Sequence, residues 1–249
     1  LLSAVAAFDV IFSTGLALGP LPIPSETGVP GAHGNTASCS FQAFMLQVGI
    51  GAFGYTTSLM LYYLLVVRYG VTDTTMSRYI EPWLHFVPAT FHLSTAISGL
   101  FLDVYNPQGP SRCWVAPYPP GCEYEDSGVG ECTRGGPNGS IAHMFGSYLL
   151  VLPQVLYTLL SLVFIIIIAF TVWKRYRRSN RHRFRGSVSS TLTRSKRQMK
   201  LVVTQCFLYG VAFLNVTVWG VIITFLEEVL EKQIDILGRD FWLGVVVNT

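Results

Sequence analysis

His85 and His92 stand seven residues apart, which puts both on one face of a helix, and Asp9 sits inside an apolar run. Two imidazoles and a carboxylate are the side chains that a metal-dependent intramembrane hydrolase would use. The pattern is thin: no third ligand follows at metal spacing, and no His-Glu-x-x-His stretch occurs. Packing histidines are the better reading, so no catalytic residue, metal ligand or cofactor is expected and the chain is read as a non-enzyme. Asp9 has a stronger claim. A carboxylate in hydrocarbon is costly and by default marks a functional position facing a bundle interior, while a bond to Ser13 or a neighbouring helix that merely fixes packing is the competing role.

These side chains need elements to hold them, and composition indicates which kind. Hydrophobic residues make up 51% of the chain and charged ones 12%, with a mean hydropathy of +0.45, which excludes an ordinary soluble domain. Long apolar runs hold almost no charge, and short connecting stretches hold nearly all of it. In hydrocarbon each backbone polar group must be paired within its own segment, so such runs read as helices of about 20 residues. The runs predict spans at 1–18, 42–67, 83–102, 145–173 and 201–226, with another beginning at 241 and running to Thr249. No basic stretch precedes the first run and Asp9 interrupts it, so it reads as a span and not as a signal peptide.

Lys and Arg in the loops set the orientation. The 174–200 loop carries Lys174, Arg175, Arg177, Arg178, Arg181, Arg183, Arg185, Arg194, Lys196, Arg197 and Lys200 and no acidic residue, so it is expected in the cytoplasm. By alternation the 68–82 connection joins it there, and loops 19–41, 103–144 and 227–240 face outward. Cys39, Cys113, Cys122 and Cys132 then fall in or beside outer loops, where disulfides form, while Cys206 lies in a span. The sequon at Asn138 is also outside, open to glycosylation. Parity completes the expectation. One further span before Leu1 would give seven with an external N-terminus, so the chain reads as one domain, 1–249: an all-α seven-helix transmembrane bundle truncated at both ends.

Four features together resemble a known family: a cysteine just before the second visible span, a run ending YYLLVVRYG, an outer loop reading CWVAPYPPGC, and a basic loop ahead of a QCFLYGVAF helix. They look like the rhodopsin-like and cAMP receptor-like G protein-coupled receptors of diatoms and other protists, over nearly the whole chain, with the spans matching receptor helices two to seven. The resemblance implies a multi-pass plasma-membrane receptor that couples an unknown extracellular ligand to a heterotrimeric G protein. By that likeness Asp9 corresponds to the acidic residue of the second receptor helix that holds a sodium ion or water network. Arg68 and Tyr69 correspond to the coupling Arg-Tyr pair, although Val66 and Val67 replace its acidic partner; a membrane-surface anchor is the alternative. Trp219 corresponds to the aromatic switch of the sixth helix, without the usual proline after it, and plain packing competes with that role.

Cys39 is expected to pair with one of the three cysteines of the 103–144 loop, and four cysteines leave three pairings open. The basic 174–200 loop also carries Ser187, Ser189, Ser190, Thr191, Thr193 and Ser195, which suits phosphorylation that would offset its attraction to anionic lipid. Expected partners are therefore the G protein, membrane lipid and the outer ligand, with no nucleic acid. The alternatives are a multi-span transporter or channel, for which no internal repeat is visible, and an intramembrane enzyme.

Overall fold

The computed structural model describes residues 1–124 and 130–182, all within the unit Leu1–Gly186, and everything below concerns that unit. Four helices and one hairpin make up its regular structure. Helix α1 is Leu2–Ala17, and it stops where Gly19 takes a left-handed φ of 53° and Pro20, Pro22 and Pro24 withdraw their backbone donors. Helix α2 is Thr36–Tyr69. It begins six residues before the expected 42 because Asn35 and Ser38 form a capping box: Ser38 N–H donates to Asn35 Oδ1 at 2.9 Å, and Asn35 N–H donates to Ser38 Oγ at 2.8 Å. It keeps a helical backbone through Ile50, between Gly49 and Gly51, and its last turn, Leu65–Tyr69, is a π-helix closed by Gly70 in the left-handed region.

Helix α3, Glu81–Phe101, carries Pro82 in its first turn, where a missing N–H does no harm, and Pro88 inside. Strands β1 (Tyr105–Gln108) and β2 (Arg112–Val115) form an antiparallel hairpin in which Tyr105 faces Val115 and Pro107 faces Cys113. Helix α4 is Pro137–Arg175, with a π-helical stretch at Phe145–Val151 and a helical continuation to His182.

Contacts fix the helix directions. Along α2 from start to end, Gly15, Phe12 and Phe8 of α1 come up in falling order, so α1 is antiparallel to α2. Thr95, His92, Pro88 and His85 of α3 also fall in order against Gln47, Gly51, Gly54 and Tyr55. Tyr157, Ser161 and Thr171 of α4 rise in order against Gly54, Thr57 and Arg68, so α4 runs parallel to α2. The helices therefore alternate up and down. Residues 18–35, 102–124 and 130–136 gather at one end and residues 70–80 at the other.

Small residues allow the close approach. A Cβ on Gly49 would lie 2.6 Å from Phe12 Cα and 2.7 Å from Phe12 N, which are backbone atoms that cannot swing away. A Cβ on Gly15 would meet only the end of the Leu46 side chain, at 2.9 Å. Gly49→Ala accordingly destabilises by about 1–3 kcal/mol, the usual overpacking range, and Gly15→Ala by less. Thermal unfolding of the two purified variants in detergent checks this, and equal midpoints contradict it.

The seven-helix all-α bundle expected from hydropathy and parity is not what the described residues form. They hold a two-stranded sheet and four helices, of which only α2 and α4 are long and apolar enough to cross a membrane. The expected span 1–18 becomes a 16-residue helix, which at about 1.5 Å per residue falls short of a hydrocarbon core of about 30 Å. The expected span 83–102 is helical, but Glu81, His85, Thr90, His92, Ser94, Thr95 and Ser98 dilute its apolar content. Counting apolar runs treated all such helices as equivalent. The expected spans 201–226 and 241–249 lie outside the described residues.

The two long helices differ in cover. The most apolar stretch of α2 is 61% buried, whereas that of α4, with a mean hydropathy of 2.8, is only 17% buried. Val155, Leu159, Ile166 and Phe170 of α4 stand exposed. Such an apolar surface calls for a non-aqueous surrounding or further protein.

Candidate functional site

The end that gathers residues 18–35, 102–124 and 130–136 forms a cap. Cys39, one turn into α2 and buried, is bonded to Cys113 of β2, and Cys122 is bonded to Cys132, which is one of the three pairings left open. Around the first disulfide Ile23, Ala43, Val104, Tyr105, Ala142 and Phe145 pack into one apolar cluster.

Beneath the hairpin lies Gln42, fully buried on the same face of α2 as Cys39. Its Nε2 donates to Gly15 O at 3.0 Å and Gly19 O at 2.9 Å, and its Oε1 accepts from Cys113 N–H at 2.8 Å. The last carbonyls of a helix have no partner within it. Gln42 supplies one to α1 while also holding β2, so a single amide ties α1, α2 and the hairpin together.

Tyr105 is buried against Gly99, where any Cβ would collide with its ring, and its hydroxyl donates to Ala96 O at 3.0 Å. Burial pushes its phenol above the ordinary range, so it remains a donor at all physiological pH. Asn106, beside it, is buried as well. Its Nδ2 donates to Asp103 O at 3.0 Å and Ala116 O at 2.7 Å, and its Oδ1 has no partner. Arg134 reaches back across the cap to Asp103, 3.0 Å away. Between these groups lies a small cavity of ≈ 40 Å³ lined by Pro24, Glu26, Thr36, Cys39, Asn106, Pro107, Tyr118 and Arg134.

Midway along α2 a second polar group is buried. Gln47 Nε2 donates to Thr95 Oγ1 at 3.1 Å while Gln47 Oε1 and both ring nitrogens of His92 have no partner. His92 packs against Tyr157 and Phe91, with ring centroids 5.8 Å and 5.1 Å away. His85 instead packs at a tilt against Tyr55, ring centroids 5.6 Å apart, and lies 4.0 Å from Glu81. Among the described residues no three His, Cys, Asp or Glu side chains gather in one place.

At the far end Arg68 donates from Nη1 to Thr171 Oγ1 at 3.2 Å, joining α2 to α4, over a cluster of Leu64, Val67 and Ile168. Its neighbour Tyr69 is exposed.

Among the described residues Asp9 is exposed on α1, in an open groove with Val10, Ser13, Thr14 and Ala17, and lies off the face that meets α2. The reason is helical phase: Phe8, Phe12 and Gly15 form the face that meets α2, and Asp9 falls on the other side. Asn138 is exposed at the start of α4, with a φ of 49°. Trp219, Cys206 and the hydroxyl-rich part of the basic loop, 187–200, lie outside the described residues.

Sequence reasoning passed over Gln42, Gln47 and Asn106. The first two carried a usable signal, since an amide inside an apolar run must find partners on another element. Asn106 carried none, because its partners, Asp103 O and Ala116 O, are set by the hairpin's tertiary placement. Comparison with protein-family models, curated proteins and solved structures finds no match for this chain.

Proposed function

We propose that the chain is a multi-pass plasma-membrane receptor whose cap takes an extracellular ligand and whose opposite end acts on a heterotrimeric G protein. One observation carries this reading. A single helix, α2, is fastened to the cap at its first turns by Cys39 and Gln42, and to α4 at its last turn by Arg68. Its 34 residues reach roughly 51 Å at 1.5 Å per residue, more than a hydrocarbon core of about 30 Å. A shift of the cap is thereby delivered to the end where Arg68 meets Thr171.

Charge supports the orientation. Eleven basic residues lie within 174–200, from the last turn of α4 onward, and positive charge of that kind stays in the cytoplasm beside anionic lipid. The cap, with its two disulfides and the exposed Asn138 sequon, then stands in the oxidising outer compartment, where a glycan can be added.

Thr171→Val removes the bond to Arg68 and keeps the side-chain shape. In vesicles holding the receptor and each of a panel of heterotrimeric G proteins, basal nucleotide exchange rises roughly 2- to 10-fold, the weight of one hydrogen bond. Arg68→Ala lowers exchange at equal receptor density. If exchange is absent across the panel, or ignores both substitutions, the receptor reading is wrong.

One observation favours solute transport as a second reading. Gln47 Oε1 and both ring nitrogens of His92 are buried without a partner midway along α2 and α3, and unmatched polar groups at mid-depth are where transporters hold their substrates. Solute flux in the same vesicles, with no exchange on any G protein, selects it.

A further inference from the structure

The seam between α2 and α4 ends in unmatched positive charge. On α4 the residues that meet α2 include Phe164, Ile168 and Thr171, and the next position on that helical stripe is Arg175. Lys174 stands beside it, three residues after Thr171 and so on the same side of the helix. Across the seam is Arg68, in the last turn of α2. Its Nη1 donates to Thr171 Oγ1, a bond that leaves most of the five guanidinium donors over. One helical turn, about 5.4 Å of rise, separates Thr171 from Arg175, so three cations gather where the seam opens. Arg68, Lys174 and Arg175 are exposed, and none of them forms an ion pair among the described residues, with Asp73 of the 70–80 connection or with any other carboxylate.

Two plain explanations cover part of this. Cations at a helix C-terminus complement its dipole, and Lys and Arg on one side orient a membrane chain. Neither requires charges from two different helices to converge, which costs mutual repulsion and calls for an anion between them.

Depth indicates which anion. Helices α2 and α4 run parallel and both are long and apolar enough to cross a membrane, so their last turns lie on one side of it. Tyr69, Tyr79 and Trp173 are exposed at that end, and the Arg177 guanidinium sits over the Trp173 ring, 4.0 Å from its centroid. Exposed tyrosine and tryptophan beside basic residues mark the headgroup layer, where the abundant anion is lipid phosphate. A guanidinium holds phosphate through two parallel N–H donors, and three converging cations match more than one phosphate charge.

We propose that the Arg68 end of the α2–α4 seam binds the headgroup of a polyphosphorylated anionic lipid, its phosphates on Arg68, Lys174 and Arg175. This names a regulator for the coupling end of the receptor reading given above and rests on that reading only for its effect on nucleotide exchange. Binding itself needs no G protein.

The test titrates the purified full chain in detergent with a short-chain phosphatidylinositol bisphosphate, with phosphatidylserine of the same chain length and with free inositol trisphosphate, bound adducts being counted by native mass spectrometry. The bisphosphate lipid binds at least ~10-fold tighter than phosphatidylserine, and the free headgroup binds more weakly than the lipid. Lys174→Gln and Arg175→Gln each weaken the bisphosphate lipid by about 5-fold and leave the unfolding midpoint in place, because both side chains are exposed. Arg177→Gln removes the same charge from the opposite side of α4, about 200° round from Arg175, and changes affinity by less than ~2-fold. Equal affinity for the two lipids, an equal loss from Arg177→Gln, or no loss from either seam variant overturns the proposal. A free headgroup that binds as tightly as the lipid makes the ligand a soluble phosphate and overturns it too. Selective lipid binding with no exchange on any G protein upholds the site and sinks the receptor reading. Exchange on a G protein with no such lipid selectivity does the reverse.

Discussion

A chain carrying Cys39→Ser together with Cys113→Ser unfolds well below the parent, by about 4.4 kcal/mol in stability and roughly 10 °C or more in midpoint. The two cysteines are 74 residues apart, so their bond closes a long loop and removes much conformational freedom from the unfolded chain. The Cys122–Cys132 bond closes only 10 residues, and its double serine variant loses about 2.7 kcal/mol by the same relation. Both serine pairs avoid stray thiols. Thermal unfolding of the purified proteins in detergent orders the two effects, and a smaller loss from the longer loop contradicts the argument. The consequence reaches beyond stability, because Cys39 and Pro107 both line the cap cavity and Cys113 faces Pro107 across the hairpin.

Gln42→Leu produces the second large effect. Leucine fits the volume but leaves Gly15 O, Gly19 O and Cys113 N–H without Gln42, the partner that now serves them. Each buried backbone group that goes unmatched costs about 1–3 kcal/mol, and since water reaches part of the α1 end the expected total is about 3–5 kcal/mol. Two readouts separate this from simple loss of packing. Hydrogen exchange at the Cys113 amide accelerates, and Gln42→Glu, which keeps the acceptor for Cys113 but loses the donor for α1, protects that amide while still lowering the midpoint. A leucine variant within about 1 kcal/mol of the parent removes Gln42 from the role assigned to it. Because the disulfide and Gln42 hold the same hairpin, their combined removal is not the sum of the parts.

Both predictions concern the cap, and the connection from cap to opposite end runs along α2. That helix is held laterally by glycine contacts to α1 and by the Thr57–Ser161 hydrogen bond to α4, 3.0 Å long. Ile50 keeps a helical backbone, its N–H bonded to Leu46 O at 3.1 Å, so α2 is continuous between its two held ends.

Helix positions were legible in the sequence to within two residues for α1 and α3 and to within eight for the starts of α2 and α4. Expected runs at 1–18 and 83–102 match Leu2–Ala17 and Glu81–Phe101, and the expected 42–67 and 145–173 lie inside Thr36–Tyr69 and Pro137–Arg175. The errors at the starts of α2 and α4 fall where capping and turn chemistry extend a helix beyond its apolar run. Helix counting went astray because hydropathy runs do not distinguish a helix that can span a membrane from a shorter or more polar one packed beside it.

What the sequence determined by itself is local: where helices form, how apolar each is, and where the positive charge collects, since helical hydrogen bonds close over four residues and side-chain polarity is a property of each residue alone. Only the tertiary structure decided the pairing of Cys39 with Cys113, the position of Asp9 off the face that meets α2, the three-way bond of Gln42 and the unmatched oxygen of Asn106. Each of these depends on which faces meet across tens of residues of chain, and that is set by close packing of glycines and rings between helices, which no local spacing encodes.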